Sequence, residues 1–375
     1  MTERKYLFCV WEGGGNLPPQ LALAQQMASQ EDTEVFVLGP ASLRERVESR
    51  GAHLVEVTGP AANLVATDMA DVMASFTEYL TGVDSAREVL SALEEVAPDA
   101  VVVDCMYVAA LMASEKAQVP RATFMHMRYG FFVEDAVGPI NEWLGPSVAA
   151  VRADLGLEPF DAAASVARQA WDATTTSLSM LVPDLESPVE TDPRQLVHVG
   201  PIFDEPARPR EDGPPLVLVS FSTTQMRQGP VLQNVLDATA GLDARVLCTT
   251  GGVDVGDLRA PANAEVVKWV AHSEVLPRTS VIVTHAGMGT TVAALAHGVP
   301  IVAMPMGRDQ DGNAHRLAEL GVGVNLAPTT PVGDIAAAIG SVLTSEQFGK
   351  SARSVAREIS QFDNGALAVS SLGWL

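Results

Sequence analysis

The chain has 375 residues, 47% of them apolar and 19% charged, with a formal net charge of −22. That length predicts two or three domains that each bury a core, and the composition is neither disordered nor fibrous. The charge excludes electrostatic capture of nucleic acid or of an anionic membrane, since both need clustered Lys and Arg. Any phosphate has to be held by local donors such as helix N-termini, backbone amides or a single His or Arg.

From the N-terminus, short β-rich runs alternate with helix-patterned segments: Tyr6 to Val10, Leu17 to Ala28, Glu34 to Leu38, Ser42 to Arg50, and His53 to Val57. The alternation resumes with Ala100 to Val103, a helix over Val108 to Gln118, and Arg121 to His126. It predicts βαβ units on a parallel sheet whose mostly apolar runs are central strands. The apolar run Tyr6 to Trp11 is too short for a signal peptide, and no stretch of about 20 apolar residues predicts a membrane span. Three scattered cysteines, Cys9, Cys105 and Cys248, fit reduced thiols in a cytoplasm better than a disulfide framework, and none has metal-ligand spacing.

From Met127 to about Phe160 the alternation fails, and Tyr129, Phe131, Phe132 and Trp143 stand among prolines and glycines. An irregular insertion at a strand's C-terminal end is expected to line the ligand crevice, with a packing arm or dimer contact as the other reading. Phe203 to Pro215, carrying DEPARPREDGPP, predicts a linker. A second series follows: strand Leu216 to Phe221, helix Val231 to Ala240, and strands Arg245 to Thr249, Val281 to Thr284 and Ile301 to Met304. The predicted fold is α/β, two Rossmann-like domains facing across a cleft.

After the strand ending at Thr284 comes His285-Ala286-Gly287-Met288-Gly289-Thr290-Thr291, then an alanine-rich helix. Free amides and the helix dipole at such a turn favour an anion. Gly287 and Gly289 permit close backbone approach, Thr290 and Thr291 can cap or donate, and His285 can donate to a phosphate oxygen. A glycine turn alone is equally a well-capped helix start. Its neighbours add weight, because Asp309 and Gln310 fall at the end of the next strand, where a carboxylate and an amide suit vicinal sugar hydroxyls.

Trp269 to His272 (WVAH), the HAGMGTT loop, Ala294 to Pro300 (ALAHGVP) and Asp309 to Ala314 (DQDGNA) occur in that order. Together they resemble the donor-binding signature of GT-B natural-product glycosyltransferases, which decorate antibiotics, macrolides, polyketides and plant metabolites. The resemblance implies that Trp269, Val270 and His272 flank the nucleotide base, and that His285 with Gly287, Met288, Gly289 and Thr290 holds the diphosphate. Asp309 and Gln310 would contact the donor sugar, and Ser222 and Thr224, in the turn Ser220 to Thr224, would approach the phosphates. It implies an acceptor-binding domain over 1–205, a linker over 206–215, a donor domain over 216–360, and a segment 361–375 packing back on the first domain. The helix around Ser351 to Phe362 is expected to return toward that domain.

The family's N-terminal turn carries a His three residues before a proline as general base, whereas Gly13-Gly14-Gly15-Asn16-Leu17-Pro18-Pro19 has Asn16 there. An amide takes no proton at neutral pH. Asp104, which matches the Asp that orients the family's His, is then the first candidate base, with Asn16 positioning the acceptor or a water. His126 is the second candidate, and His53, His198, His297 and His315 have no constellation around them. A carboxylate base favours an acidic phenol or a carbon attack. Relatives using ribonucleotide sugars often place a Glu eight residues after the loop His; Ala293 stands there, which favours dTDP-sugars over UDP-sugars. No acidic metal-binding pair such as D-x-D is expected near the loop, so no metal and no cofactor beyond the nucleotide-sugar co-substrate is expected.

The expected activity is inverting sugar transfer to a small aromatic or polyketide-type acceptor in the cytoplasm, with a homodimer left open. The alternatives are a catalytically silent nucleotide-binding partner of another transferase, to which Asn16 lends weight, and a sugar-nucleotide epimerase.

Overall fold

An unbroken apolar run such as Ala100 to Val103 buries both its faces only in the middle of a parallel sheet covered by helices. It occupies that place in the computed structural model, which describes residues 3–58, 69–133, 139–186, 195–208, 211 and 213–375. One sheet holds β1 (Arg4–Cys9), β2 (Thr33–Gly39), β3 (His53–Glu56), β4 (Ala100–Asp104), β5 (Arg121–Met125), β6 (Thr176–Ser179) and β7 (Leu196–His198) in the order 3-2-1-4-5-6-7. The other holds β8 (Leu216–Ser220), β9 (Arg245–Thr249), β10 (Ala264–Val267), β11 (Val281–Thr284), β12 (Ile301–Ala303) and β13 (Gly323–Asn325) in the order 10-9-8-11-12-13. Neighbouring strands run parallel in both.

Each order reverses once, between β1 and β4 in the first sheet and between β8 and β11 in the second. Chain leaving such a pair departs toward opposite faces, which opens a crevice outside the strand C-termini. Register makes this concrete. Cys9 lies opposite Val103 and Val219 opposite Val283, so the turn after β1 emerges beside Asp104 and the turn after β8 beside His285.

Contacts divide the chain into two units, Met1–Leu181 with Pro188–Asp204 and Asp363–Leu375, and Val182–Ser187 with Glu205–Phe362. The helix Glu346–Ile359 belongs to the second unit and packs on Met288–Ala296, contrary to its expected return to the first. Its apolar stripe Ala352, Val355 and Ile359 is buried there. The segment that joins the first unit is Ala366–Leu372, on the helix Leu17–Ala28. Tyr6 Oη donates to the Leu372 carbonyl at 3.4 Å, and Gln26 Nε2 to that of Asn364 at 2.8 Å.

The insertion after β5 is helical where it is described, a second correction. Pro139–Leu155 forms one helix with Pro146 inside it, and Leu144, Val148, Val151 and Leu155 bury one face at helical spacing. Tyr129 joins that core, and Trp143 and Phe131, which are only partly buried, pack against it. The side chain of Phe132 and linker residues 209, 210 and 212 lie outside the described residues. Among those described, no helix is long and apolar enough to cross a membrane.

Because Leu372 is fully buried in the first unit, Leu372→Ala is expected to lower stability by about 2–5 kcal/mol in denaturant titration. A loss under about 1 kcal/mol would show that the C-terminal helix contributes little to that core.

Candidate functional site

At the C-terminal edge of the first sheet the switch point is filled by Asp104, whose side chain has 0% exposure. A buried carboxylate needs hydrogen-bond donors around it. Asp104 Oδ1 accepts the Met106 amide at 2.9 Å, and Oδ2 accepts Asn16 Nδ2 at 3.1 Å, Gln20 Nε2 at 2.6 Å and His126 Nδ1 at 3.2 Å. Asn16 and Gln20 share a face because they stand four residues apart at the start of a helix. His126 follows β5, the next strand over, and its side chain is 13% exposed. Beside it, the Trp11 ring lies 6.4 Å away centre to centre, with Phe76 edge-on to Trp11 at 4.6 Å.

Electrostatics makes Asp104 and His126 an ion pair. Burial alone would raise the Asp104 pKa, but the His126 charge, its hydrogen bond and the Met106 amide outweigh that and bring it below the ordinary carboxylate value. Burial likewise pulls His126 down, while the Asp104 carboxylate, Cys105 and the hydrogen bonds to both carry it well above the ordinary imidazole value. Asp104, Cys105 and His126 are the one cluster of this kind among the described residues whose ligand atoms are close enough to share a metal ion. With Asp104 Oδ2 already taken by side-chain N–H donors, the set reads as a hydrogen-bonded relay.

Asn16 is hydrogen-bonded at both ends of its amide. Its Nδ2 donates to the Trp11 carbonyl at 3.0 Å as well as to Asp104, and its Oδ1 accepts the Gly13 amide at 3.1 Å. With both ends engaged and the residue buried, it fixes the turn and the carboxylate. The Asp104 side chain is likewise enclosed. The sequence offered Asp104 and His126 as rivals, and the structure joins them. Gln20 and Trp11 were not singled out, although the Asn16-to-Gln20 spacing was a usable signal.

At the matching edge of the second sheet, Thr284 leads into His285 and the helix Met288–Ala296, with Gly287 at the N-cap. No side chain caps this helix, so of the two roles expected of Thr290 and Thr291 the capping one is not seen, and the Thr291 Oγ1 is buried without a partner. The first-turn amides of Met288, Gly289 and Thr290 have no intrahelical acceptor and are available to an anion. A Cβ on Gly287 would meet the His285 ring, so a larger residue there would have to displace that ring. Burial first, then the Arg308 guanidinium, lowers the His285 pKa to about 4, which leaves it neutral at pH 7.

Around this loop, Ser222 Oγ and Thr224 Oγ1 are 2.8 Å apart, and Ser220 Oγ is 3.3 Å from His272 Nε2. Val270 is half-buried. Trp269, just past β10 at the edge of the sheet, is 67% exposed. Asp309 accepts Asn313 Nδ2 at 2.8 Å, and the same amide donates to the Ala286 carbonyl at 3.0 Å, so Asn313 ties the two loops together. Gln310 turns inward: it is 2% exposed, its Oε1 accepts the Met306 amide at 2.8 Å, and Nε2 reaches Met226 Sδ at 3.6 Å. It braces the loop, and of the expected sugar-facing pair only Asp309 remains accessible. Asp309-Gln310-Asp311 is itself a D-x-D triplet, so the expectation that none stands near the loop is corrected.

Residues 233–363 match the family of erythromycin biosynthesis protein CIII-like C-terminal domains. The chain is 33% identical over 195 residues to demethyllactenocin mycarosyltransferase of Streptomyces fradiae, 47% of this chain but only 42% of that protein. Its fold matches the glycosyltransferase of kitacinnamycin with a TM-score of 0.83 at 22% identity, over 99% of this chain and 98% of that one. It also matches the glycosyltransferase VinC, solved in complex with dTDP, with a TM-score of 0.71 at 21% identity over 98% of both chains. Two parallel-sheet α/β domains of this kind are the GT-B fold.

The ion pair has a signed pH dependence. His126, raised, contributes stability that is complete below its unfolded value of about 6.5 and lost as pH rises through its folded value. Asp104, lowered, contributes stability that is complete above about 3.9 and lost as pH falls through its folded value. Asp104→Asn should bring the His126 titration, followed by NMR, down toward about 6.5 and flatten the alkaline loss of stability. An unchanged His126 titration would show that the carboxylate is not what raises it.

Proposed function

We propose, with the CIII-like C-terminal domain and the GT-B fold as premises, that this protein is an inverting glycosyltransferase. It moves a sugar from a dTDP- or UDP-sugar to a small aromatic or polyketide-type acceptor, with His126, held by Asp104, as the base. The observation that carries this is the Asp104–His126 pair at the switch point of the first sheet. It supplies a proton acceptor where Asn16 cannot.

His126 rather than Asp104 is the base because the carboxylate has no exposed surface and a lowered pKa, whereas the imidazole keeps an accessible edge. In the transfer, the acceptor oxygen attacks the anomeric carbon as the bond from that carbon to the diphosphate oxygen breaks. The acceptor proton passes to His126 Nε2, whose charge Asp104 balances at Nδ1. A raised imidazole pKa suits a phenol, whose own value near ~10 is closer to it than to that of an unpaired carboxylate. The departing diphosphate takes up negative charge, which the first-turn amides of Met288 to Thr290 and a ring N–H of His285 can accept without reorganising. Trp269 offers a stacking face for the nucleotide base, and Asp309 an acceptor for sugar hydroxyls. Ala293 in place of a ribose-binding carboxylate, and a fold shared with an enzyme solved with dTDP, support dTDP-sugars first.

In a second reading the chain is a silent partner that binds nucleotide and activates another transferase. Asn16 favours it.

Incubation with dTDP- and UDP-sugars and phenolic polyketides should release nucleotide and give product of inverted anomeric configuration by NMR. His126→Ala should lower kcat by roughly 10²–10⁴-fold with little change in donor affinity. Donor binding without turnover of any acceptor would favour the silent partner. Full activity in His126→Ala would remove His126 as base.

A further inference from the structure

The groups assigned so far to the diphosphate are neutral: backbone amides, and a histidine that is uncharged at pH 7. The chain around them carries a net charge of −22. A dianionic diphosphate placed there gains more from one fixed cation than from further dipoles.

Arg308 is that cation. It lies between β12 and the helix Gln310–Glu319, is exposed, and has no carboxylate within ion-pair distance among the described residues. Its Nη2 donates to Thr224 Oγ1 at 3.2 Å, and Thr224 Oγ1 in turn meets Ser222 Oγ at 2.8 Å. The guanidinium therefore bridges the loop after β12 to the loop after β8, on either side of the loop after β11 that carries His285. Its charge reaches the His285 ring. In the helix that the His285 loop enters, Thr291 is 1% exposed with its hydroxyl unpartnered.

The backbone is unusual here. Arg308 has φ +59°, in the left-handed region, directly after Gly307 at φ +129°. A non-glycine residue in that region is uncommon and carries some backbone strain. A glycine would adopt the same backbone without cost.

We propose that Arg308 is the cationic clamp of the diphosphate, the residue that makes the site select nucleoside diphosphates over monophosphates and nucleosides. It rests on the donor-site reading above. One N–H of the guanidinium stays on Thr224, while the remaining donors of the planar fork face phosphate oxygens, a geometry that a lysine cannot reproduce. As the sugar leaves, the clamp is placed to take up the charge that develops on the β-phosphate.

Calorimetric titration with dTDP, dTMP and thymidine tests it on the full chain. Arg308→Gln should weaken dTDP roughly 10–100-fold and leave thymidine unchanged. Its dTDP affinity should also depend less steeply on salt. Arg308→Lys should recover only part of the loss. Arg308→Gly should hold or raise the Tm while losing dTDP affinity like the Gln variant, which separates the clamp from folding. Unchanged dTDP affinity in Arg308→Gln, or an equal loss for all three ligands, would overturn the clamp alone. A wild-type protein that binds none of the three would overturn the donor-site reading together with it.

Discussion

A carboxylate removed from water must be surrounded by donors or surrender its charge. Asp104 is surrounded, and most of the first unit's candidate site follows from that. The Met106 amide fixes one oxygen, while Asn16, Gln20 and His126 converge on the other. Removing any one donor leaves a buried charge short of compensation, which is far more costly than losing a surface contact. The turn after β1, the start of the helix Leu17–Ala28 and the orientation of His126 are thus set by a single side chain. Orientation is what a base needs: with Nδ1 held by the carboxylate, Nε2 is the nitrogen left to take a proton.

The second unit applies the same topology to a different end. Its switch point is lined by orphan amides and a deliberately neutral histidine, because burial and Arg308 together keep His285 from charging. Neutrality has a use, since a ring N–H can then be offered to a phosphate without the proton being lost or gained near pH 7. Asn313 and Gln310 lock the loops that frame this edge, Asn313 through Ala286 and Asp309 and Gln310 through Met306. Preorganisation of this sort makes a set of dipoles effective toward a charge that develops only as the bond breaks.

Much of this was legible in the sequence, for identifiable reasons. The central strands read clearly because buried parallel strands are mostly apolar runs, whereas the short, more polar β6, β7, β10 and β13 did not; the loop His285 to Thr291 stood out only through its neighbours at Trp269 and Asp309-Gln310. Three things were hidden. The helix Pro139–Leu155 was masked by Pro146, although Leu144, Val148, Val151 and Leu155 keep a helical stripe. The inward turn of Gln310 depends on Met306 and Met226, contacts that no spacing announces. The pairing of Asp104 with His126 comes from register: Asp104 stands opposite Phe124, which brings His126, two residues on, over the carboxylate. Residues in adjacent parallel strands meet through a crossover of variable length, so their partnership leaves no periodic trace.

The central claim is that an imidazole raised by a buried carboxylate is the base for sugar transfer. Its most direct measurement is the pH dependence of kcat/KM with a phenolic acceptor, from about pH 5 to 10, in the wild type and in Asp104→Asn. The account predicts a single rise whose midpoint lies above the ordinary imidazole value of about 6.5 in the wild type and moves down in the variant. A rise complete by about pH 5, as for a carboxylate base, or a midpoint that ignores Asp104→Asn, would contradict it.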